Sequence, residues 1–235
     1  MSDQPDILLL HGALGSADQL ENLSQALTNL HPVIVEFPGH GKSPDHGLSW
    51  SISNFADFLE RLCTGFNSPV YVFGYSMGGY VALSLAKKRP DLFKGIITLG
   101  TKFDWTPESA RKESSRMNAE KILEKVPGFA ADLMKRHGSS NWQQVLKNTA
   151  DLMFSLGDNP ELRTGDSASS AIPVLCCLGE KDTMVTMDET MAFMKIFPNS
   201  SFRMLPDTPH PIEQVSTSLL TSVISGFVNS IPELP

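Results

Sequence analysis

Several signatures of common protein classes are missing from this chain of 235 residues. No stretch approaches the roughly 20 consecutive apolar residues that a membrane-spanning helix needs, so no membrane partner is expected. The 19 lysines and arginines are outnumbered by 26 acidic residues, and the net charge of −7 argues against nucleic acid as a partner. The acidic start, Met1 to Asp6, does not have the pattern of a signal peptide.

Cysteine is scarce, with only Cys63, Cys176 and Cys177 in the chain. Because neighbours on a strand point to opposite faces, Cys176 and Cys177 are expected to pack in the core rather than form a disulfide or a metal pair. Three cysteines with no expected disulfide favour the reducing cytoplasm as the location of the protein. No H-E-x-x-H, C-x-x-C or P-loop motif is present, so neither a metal nor a nucleotide cofactor is expected.

Short apolar runs recur along the chain, and helical patterns separate most of them. The runs are residues 7–10, 33–37, 70–73, 95–99, 174–178 and 202–205. Continuous apolar strands are typical of a parallel sheet buried on both faces. The alternation predicts a doubly wound α/β fold, in one large domain or in a domain with an insertion.

One interval, from Leu99 to Val174, contains no convincing strand. Thr106-Pro107 marks a helix start, Asn118 is a candidate cap for the next helix, and glycines 138 and 157 end two more helical stretches. We therefore predict a helical lid over residues 102–171, inserted into a core of residues 1–101 and 172–235. Residues 166–171 are expected to form the return linker.

Two helices of the core have their own signals. Ser53 is expected to cap a helix that carries Phe55 and Leu59 on one face. Apolar residues at three- to four-residue spacing predict an amphipathic C-terminal helix from Ile212 to Phe227. Glu213 would then lie at the N-terminus of that helix, where the helix dipole favours an acid.

The chemistry of the chain centres on Gly74-Tyr75-Ser76-Met77-Gly78, a G-x-S-x-G motif between a predicted strand and a predicted helix. A serine on so sharp a turn projects its hydroxyl above the sheet, and the glycines leave room for the turn. This context makes Ser76 a candidate nucleophile rather than an ordinary turn serine.

A serine nucleophile needs a general base, and the base needs a group that orients it. Asp182 follows the fifth predicted strand and His210 follows the sixth. The carboxyl ends of parallel strands share one edge of the sheet, so Ser76, Asp182 and His210 are predicted to converge as a triad. Asp104, which follows the fourth strand, is the competing candidate for the acid.

Two backbone N–H groups are predicted to form an oxyanion hole. Met77 directly follows the nucleophile, and Ala13 lies in the loop His11-Gly12-Ala13 after the first strand. His11 and His40 are expected to have structural roles in their loops, while His31, His46 and His137 are expected at the surface.

Five motifs together resemble the α/β-hydrolase superfamily over nearly the whole chain. They are Leu10-His11-Gly12, Phe37-Pro38-Gly39-His40-Gly41-Lys42-Ser43, the Gly74–Gly79 segment, Gly179-Glu180-Lys181-Asp182 and His210. The residues of these motifs are most similar to those of one branch of the superfamily, which contains small carboxylesterases, a menaquinone-pathway synthase that is a lyase, and C–C bond hydrolases. The resemblance implies six parallel strands that lack the family's usual N-terminal antiparallel hairpin.

The resemblance implies a serine hydrolase that cleaves a small ester through an acyl-enzyme, without a cofactor, as a monomer or homodimer. A lyase or C–C bond hydrolase that uses the same triad is one alternative. A small-molecule receptor with a retained triad is another, although Met77-Gly78-Gly79 is less typical of such receptors.

The substrate-binding residues are predicted beside the triad and inside the insertion. The predicted set is Leu14, Tyr75, Phe103, Trp105, Trp142, Phe154, Met184 and Val185. Methionine fills irregular apolar space, so the late methionines suggest a pliable acyl pocket. The basic residues Lys102, Arg111, Lys112 and Arg116 are expected to form a solvated face, with a clamp for a substrate carboxylate as the alternative.

Overall fold

The six predicted apolar runs all form strands in the structure, a computed structural model that describes residues 4–44, 47, 49–163, 165–168 and 172–232. The strands are β1 (Ile7–Leu10), β2 (Pro32–Val35), β3 (Val70–Tyr75), β4 (Phe93–Leu99), β5 (Val174–Gly179) and β6 (Ser200–Leu205). They form one sheet in the order β2-β1-β3-β4-β5-β6, and every pairing is parallel. The predicted parallel α/β architecture is confirmed.

The strand order places a topological switch between β1 and β3. The chain moves from β1 outward to β2 and then returns to β3 on the other side of β1. In register, Leu10 at the end of β1 lies opposite Gly74 of β3. Open α/β sheets bind ligands outside the carboxyl ends of the strands at such a point, and the loops that follow Leu10 and Tyr75 meet there.

Helices cover both faces of this sheet. The core helices are α1 (Glu21–Ala26), α2 (Ile52–Thr64), α3 (Met77–Lys88), α8 (Met187–Met194) and α9 (Thr217–Ser230). Buried residues of α2, α3 and α8 belong to one hydrophobic cluster, and those of α1 and α9 belong to a second cluster. Strand residues alternate between the two: Leu8 and Leu10 join the first cluster, and Ile7 and Leu9 join the second.

The cysteines follow the same alternation. Cys176 packs in the first cluster and Cys177 in the second, and both are free and buried. Burial raises the pKa of each thiol, to about 11 for Cys176 and about 12 for Cys177. Both residues are therefore packing groups held in the neutral thiol form.

The helical insertion between β4 and β5 is present as predicted. Its helices are α4 (Pro107–Ser114), α5 (Ala119–Lys125), α6 (Pro127–His137) and α7 (Trp142–Asp158). Thr106 caps α4 and Asn118 caps α5, since their side chains accept hydrogen bonds from Ser109 and Lys121 N–H at 3.1 and 2.9 Å. The predicted return linker falls partly outside the described residues, which exclude 169–171.

Two predicted helix starts were wrong. Ser51, not Ser53, caps α2: it has extended backbone angles, and its hydroxyl accepts the N–H of Asn54 at 3.1 Å. The C-terminal helix begins at Thr217, since Val215 is extended and separates it from a 3-10 turn at Ile212–Gln214.

Within the described part of the chain, no helix has both the length and the apolar character needed to cross a membrane.

Candidate active site

Ser76 occupies the sharp junction between β3 and α3. Its backbone angles are φ 50° and ψ −114°, in a region that residues other than glycine rarely adopt. Such a conformation costs about 1–3 kcal/mol and persists only where the surroundings impose it. The glycines of the motif allow the turn: a Cβ on Gly74 would lie 2.5 Å from the backbone of Gly79, and one on Gly78 would lie 2.7 Å from the carbonyl oxygens of Leu10 and His11.

Two hydrogen bonds fix this turn to β4. The N–H of Ser76 donates to the carbonyl of Leu99 at 2.8 Å, and the hydroxyl of Thr101 donates to the carbonyl of Ser76 at 3.0 Å. Thr101 is buried and was not singled out from the sequence. Its position two residues after a strand was the only signal for it.

His210 and Asp182 form a hydrogen-bonded pair, with 2.7 Å between Nδ1 and Oδ2. The Asp182 side chain is 1% exposed and that of His210 is 10% exposed. The other carboxylate oxygen of Asp182 accepts the N–H groups of Met184 and Val185, at 2.8 and 3.0 Å. A carboxylate held in this way keeps the proton of His210 on Nδ1 and leaves Nε2 as a hydrogen-bond acceptor.

The hydrogen bonds of the competing acid, Asp104, involve its backbone groups. Asp104 is exposed, its N–H donates to Glu189 at 3.3 Å, and its carbonyl accepts the hydroxyl of Ser109 at 2.9 Å. These contacts anchor the start of the insertion. The geometry therefore pairs His210 with Asp182.

Gly100, immediately after β4, makes room for that pair. Its φ is +59°, and a Cβ there would lie 3.0 Å from Oδ2 of Asp182 and 3.1 Å from Nδ1 of His210. A side chain at this position would be strained and would crowd the hydrogen bond. Sequence reasoning missed this residue, although a glycine directly after a strand is the kind of signal that could have indicated it.

Ser76 and His210 line one cavity of about 330 Å³. The cavity contains nine of the predicted site residues: Ala13, Leu14, Tyr75, Ser76, Met77, Trp105, Met184, Val185 and His210. Met153 of the insertion also lines the cavity, and further apolar walls that the sequence did not single out are Ile52, Tyr80, Met117, Phe129, Leu152 and Leu156. Most of the additional walls come from the insertion.

Three predicted substrate-binding residues, Phe103, Trp142 and Phe154, do not line this cavity. Phe103 is buried and stacks on Phe193 with 5.2 Å between ring centroids. Trp142 begins α7 and is 2% exposed in the core of the insertion. Phe154 falls on the outer side of α7 and is 44% exposed. The neighbouring Met153 does line the cavity, so the rotation of α7 about its axis determines which of its side chains face the cavity.

The basic residues at the cavity are all paired with acids. Lys102 lies 3.7 Å from Glu189, and Arg116 lies 2.8 Å from Glu113. Arg136, which the sequence did not indicate, lies 3.0 Å from Glu213. Arg111 and Lys112 are exposed and outside the cavity, as expected for a solvated face.

The loop that carries Ala13 is tightly shaped. Gly15 N–H donates to the Gly12 carbonyl at 3.1 Å, which closes a turn in which Leu14 has a φ of +57°. A Cβ on Gly12 would lie 2.8 Å from the ring of Tyr75 and 3.2 Å from the Cβ of Ser76. This close approach brings the backbone of residues 12–14 against the serine.

The buried ring of His11 contacts both this turn and the residue that follows β2 by two. Its Nδ1 lies 2.8 Å from the Gly12 carbonyl, and its Nε2 accepts the N–H of Phe37 at 3.1 Å. Complete burial lowers the pKa of His11 to about 4, so the ring is neutral at physiological pH. These contacts agree with the structural role expected for His11.

The other histidines are divided between core and surface. His40 is buried and stacks on Trp50 with 4.2 Å between centroids, and burial lowers its pKa well below the usual value. His31 is exposed as expected, and His46 lies outside the described residues. His137 was predicted at the surface and is instead buried, because it lies on the inner side of the last turn of α6.

Among the described residues, no group of three or more His, Cys, Asp or Glu side chains is arranged to hold a metal ion. The site consists of a strained serine, a histidine–carboxylate pair and backbone N–H groups around an apolar cavity. This arrangement is suited to nucleophilic attack on a carbonyl group.

Comparisons with known proteins agree with this architecture. The sn-1-specific diacylglycerol lipase ABHD11 of Mus musculus is 24% identical over 95% of this chain and 81% of its own length. Lipase 3 of Moraxella sp. (strain TA144) is 23% identical over 87% of this chain and 71% of its own length. The solved structure of a thermophilic esterase from Thermogutta terrifontis has the same fold, with a TM-score of 0.75 at 23% identity over 96% of this chain and 89% of that one.

A sequence model described as alpha/beta hydrolase fold matches residues 5–140, which is more than half of the chain. The match includes β1 to β4 and the serine turn, and the sheet order and helical insertion extend the agreement beyond it. The chain therefore belongs to the alpha/beta hydrolase fold family.

Proposed function

We propose that the protein is a serine hydrolase of the carboxylesterase type, which cleaves small uncharged esters through an acyl-enzyme. The observation that carries this proposal is the buried Asp182–His210 hydrogen bond beside a cavity that His210 shares with the strained Ser76. The similarity to two lipases and to an esterase supports the same reaction class.

In the acylation step, Oγ of Ser76 attacks the ester carbonyl carbon while Nε2 of His210 takes the hydroxyl proton. Asp182 keeps His210 in the required tautomer and stabilises its cationic form. When the tetrahedral intermediate collapses, the bond between carbon and the leaving oxygen breaks. His210 returns its proton to that oxygen, so an alcohol departs and the acyl group remains on Ser76.

The negative charge that develops on the carbonyl oxygen is assigned to the N–H groups of Ala13 and Met77. Met77 is the first residue of α3, so its N–H has no partner within the helix and the positive end of the helix dipole lies there. Ala13 lies in the turn that approaches Ser76. Donors placed in advance stabilise charge that exists only in the transition state.

Deacylation repeats the sequence with water. His210 takes a proton from the water molecule as its oxygen attacks the acyl carbon. The bond to Oγ of Ser76 then breaks, and His210 returns the proton to the serine. A carboxylic acid is released and the enzyme is regenerated without any cofactor.

The walls of the cavity favour an uncharged substrate. Lys102, Arg116 and Arg136 already face Glu189, Glu113 and Glu213, so a substrate carboxylate would have to compete with a protein carboxylate at each cation. The remaining walls are mostly apolar side chains, many from the insertion. We propose that the insertion over residues 102–171 acts as a lid and holds the acyl chain of a neutral ester.

The proposal is tested with p-nitrophenyl esters from acetate to decanoate and with a fluorophosphonate probe. We expect wild-type turnover and stoichiometric labelling at Ser76, with both lost in Ser76→Ala; loss of the nucleophile alone typically costs about 10⁶ in kcat. The matched control is Ser84→Ala, on the same helix and buried away from the cavity. An adduct that persists in Ser76→Ala would overturn the assignment.

The alternatives give different results in the same experiment. A lyase that only removes a proton from carbon forms no acyl-enzyme with these esters, so mass spectrometry of a quenched reaction would show no added acyl mass. A receptor would be labelled or acylated without sustained turnover. Acyl-enzyme together with continuous product release supports the hydrolase.

A further inference from the structure

The last turn of α6, in the insertion, donates two hydrogen bonds to the turn that carries Ala13. Nη1 of Arg136 donates to the carbonyl of Leu14 at 2.8 Å, and Nε2 of His137 donates to the same oxygen at 3.0 Å. Arg136 and His137, called here the α6 clamp, are consecutive residues more than 120 positions away from Leu14 in sequence. Two donors on one carbonyl fix the direction of that peptide group.

His137 also holds the loop after β2. Its Nδ1 accepts the N–H of Gly41 at 2.9 Å, so the proton of the neutral ring is on Nε2, which faces Leu14. The residue is 4% exposed. Its ring therefore ties the insertion to two strand-end loops at once, with both nitrogens used.

Arg136 reaches a third loop. Its Nη2 donates to Glu213 at 3.0 Å, and Glu213 lies three residues after His210. The same Glu213 oxygen accepts the side-chain amide of Gln19 at 2.5 Å. Glu213 was predicted to serve a helix dipole; the structure shows instead that it connects the clamp to the segment that follows His210.

The turn under the clamp is one that its sequence does not favour by itself. Leu14 has a φ of +57° at a position where glycine or asparagine is usual. Ala13, whose N–H is assigned to the oxyanion hole, is the residue directly before it. That N–H belongs to the Gly12–Ala13 peptide, whose carbonyl accepts the N–H of Gly15 and lies 2.8 Å from Nδ1 of His11. The clamp holds the other end of the turn, the Leu14–Gly15 peptide, so a turn that relaxes at Leu14 would also shift Ala13 relative to Ser76.

We propose that Arg136 and His137 are positioning residues that set the oxyanion turn from the insertion. The inference rests on the proposed hydrolase function. It means that the insertion contributes to transition-state stabilisation as well as to substrate binding. Removal of a clamp donor should therefore lower kcat more than it raises KM, because the interaction at stake develops only in the transition state.

The test compares Arg136→Met with Lys135→Met, a control at an exposed position of the same turn. We expect Arg136→Met to lower kcat by about 10- to 100-fold with KM within about threefold, since a displacement near 1 Å can cost about 10² in rate. The Ki of a trifluoromethyl ketone, whose adduct places an oxyanion in the hole, should rise by a similar factor. Arg136→Lys, which keeps a cationic donor group but only one nitrogen for the two partners, should recover part of kcat.

His137 gives a second pair of variants if Arg136→Met folds poorly. His137→Gln can still donate to Leu14, whereas His137→Phe keeps the ring without its nitrogens. We expect the phenylalanine variant to have the lower kcat, again without a matching rise in KM. Equal kcat in the two variants, or a KM effect alone, would overturn the positioning role.

Hydrogen–deuterium exchange separates this inference from the proposed function, because it requires no activity. The peptide that contains residues 11–16 should exchange faster in Arg136→Met than in Lys135→Met. If wild type has no esterase activity and no probe labelling, the hydrolase proposal fails whatever the exchange shows. If wild type is active and Arg136→Met matches Lys135→Met in kcat, Ki and exchange, the clamp inference alone is wrong.

Discussion

The loops at the carboxyl ends of the strands and the helical insertion contribute to the site in different ways. The strand-end loops contribute backbone geometry: a serine with φ 50°, Gly100 with φ 59° beside the Asp182–His210 pair, and N–H groups at the start of α3. The insertion contributes side chains, both the apolar walls of the cavity and the α6 clamp. Backbone geometry is tied to short motifs, whereas side-chain contacts depend on helix phase and on distant partners.

The two regions are not independent, because they meet at the carbonyl of Leu14. The strand-end turn has a conformation that its leucine does not favour, and the insertion supplies the donors that hold it. A division of labour in which the sheet performs the chemistry and the insertion selects the substrate is therefore incomplete. The variants below separate the contributions of the two regions.

Among the variants that compare the two regions, the largest effect is expected at two acids, Asp182 in a strand-end loop and Asp104 at the start of the insertion. Asp182→Asn should lower kcat on one ester by about 10⁴, because the amide no longer holds the required tautomer of His210. Asp104→Asn, at the start of the insertion, should stay within about tenfold of wild type. Steady-state kinetics at pH 7–8 measures both. If kcat falls by several orders of magnitude in Asp104→Asn and stays near the wild-type value in Asp182→Asn, Asp104 and not Asp182 is the triad acid.

The next effect concerns stability, at the place where the insertion meets the loops. His11, His40 and His137 are buried, and burial lowers the pKa of each. The unfolded chain, with histidine pKa values near 6.5, then binds more protons than the folded chain between about pH 4 and 6.5. The free energy of unfolding should therefore fall as the pH falls through this window. His11 alone, at a pKa of about 4, accounts for about 2 kcal/mol between pH 7.5 and 5.0.

Urea unfolding at pH 7.5 and 5.0 measures this loss. The carboxylates Asp91 and Asp166 have lowered pKa values, so their own contributions disappear only below about pH 4 and do not confuse the comparison. His137→Gln should make the free energy of unfolding less dependent on pH, since His11 and His40 remain, and His31→Gln, at an exposed position, should leave the dependence unchanged. A free energy of unfolding that is level between the two pH values would contradict the predicted protonation of the buried rings.

Sequence reasoning predicted most of the residues that the structure brings together at the strand ends, because their signals are local. The G-x-S-x-G motif specifies the turn at Ser76, and an acid and a histidine after successive strands must reach the same edge of a parallel sheet. Thr101 and Gly100 lacked such a motif. Their roles follow from contacts with residues on other strands.

In the insertion, sequence reasoning found the helices but not the orientation of their side chains. Caps at Thr106 and Asn118 are local signals and were predicted correctly. Whether Phe154 or Met153 faces the cavity depends on how α7 is rotated against its neighbours, which one helix's sequence does not specify. His137 was assigned to the surface because its partners, Leu14 and Gly41, lie in distant loops.

The smallest expected effect tests that rotation directly. Met153 lines the cavity and is 7% exposed, whereas its neighbour Phe154 is 44% exposed and lies off the wall. Met153→Ala should enlarge the acyl site and shift the ratio of kcat/KM for decanoate over butyrate esters by about tenfold towards the longer chain. One methylene of difference in an apolar pocket is typically worth about 1–3 kcal/mol, which makes a shift of this size reasonable.

Phe154→Ala is the matched control, one residue along the same helix. It should leave the chain-length profile within about twofold of wild type, because its side chain is outside the cavity. Met153→Ala also removes buried contacts, so its melting temperature must be measured to show that the variant is folded at the assay temperature. Equal shifts in the two variants would mean that α7 is rotated differently when substrate is bound. A shift in neither would place acyl selection in the strand-end loops and would restrict the insertion to the contacts that its α6 clamp makes with Leu14.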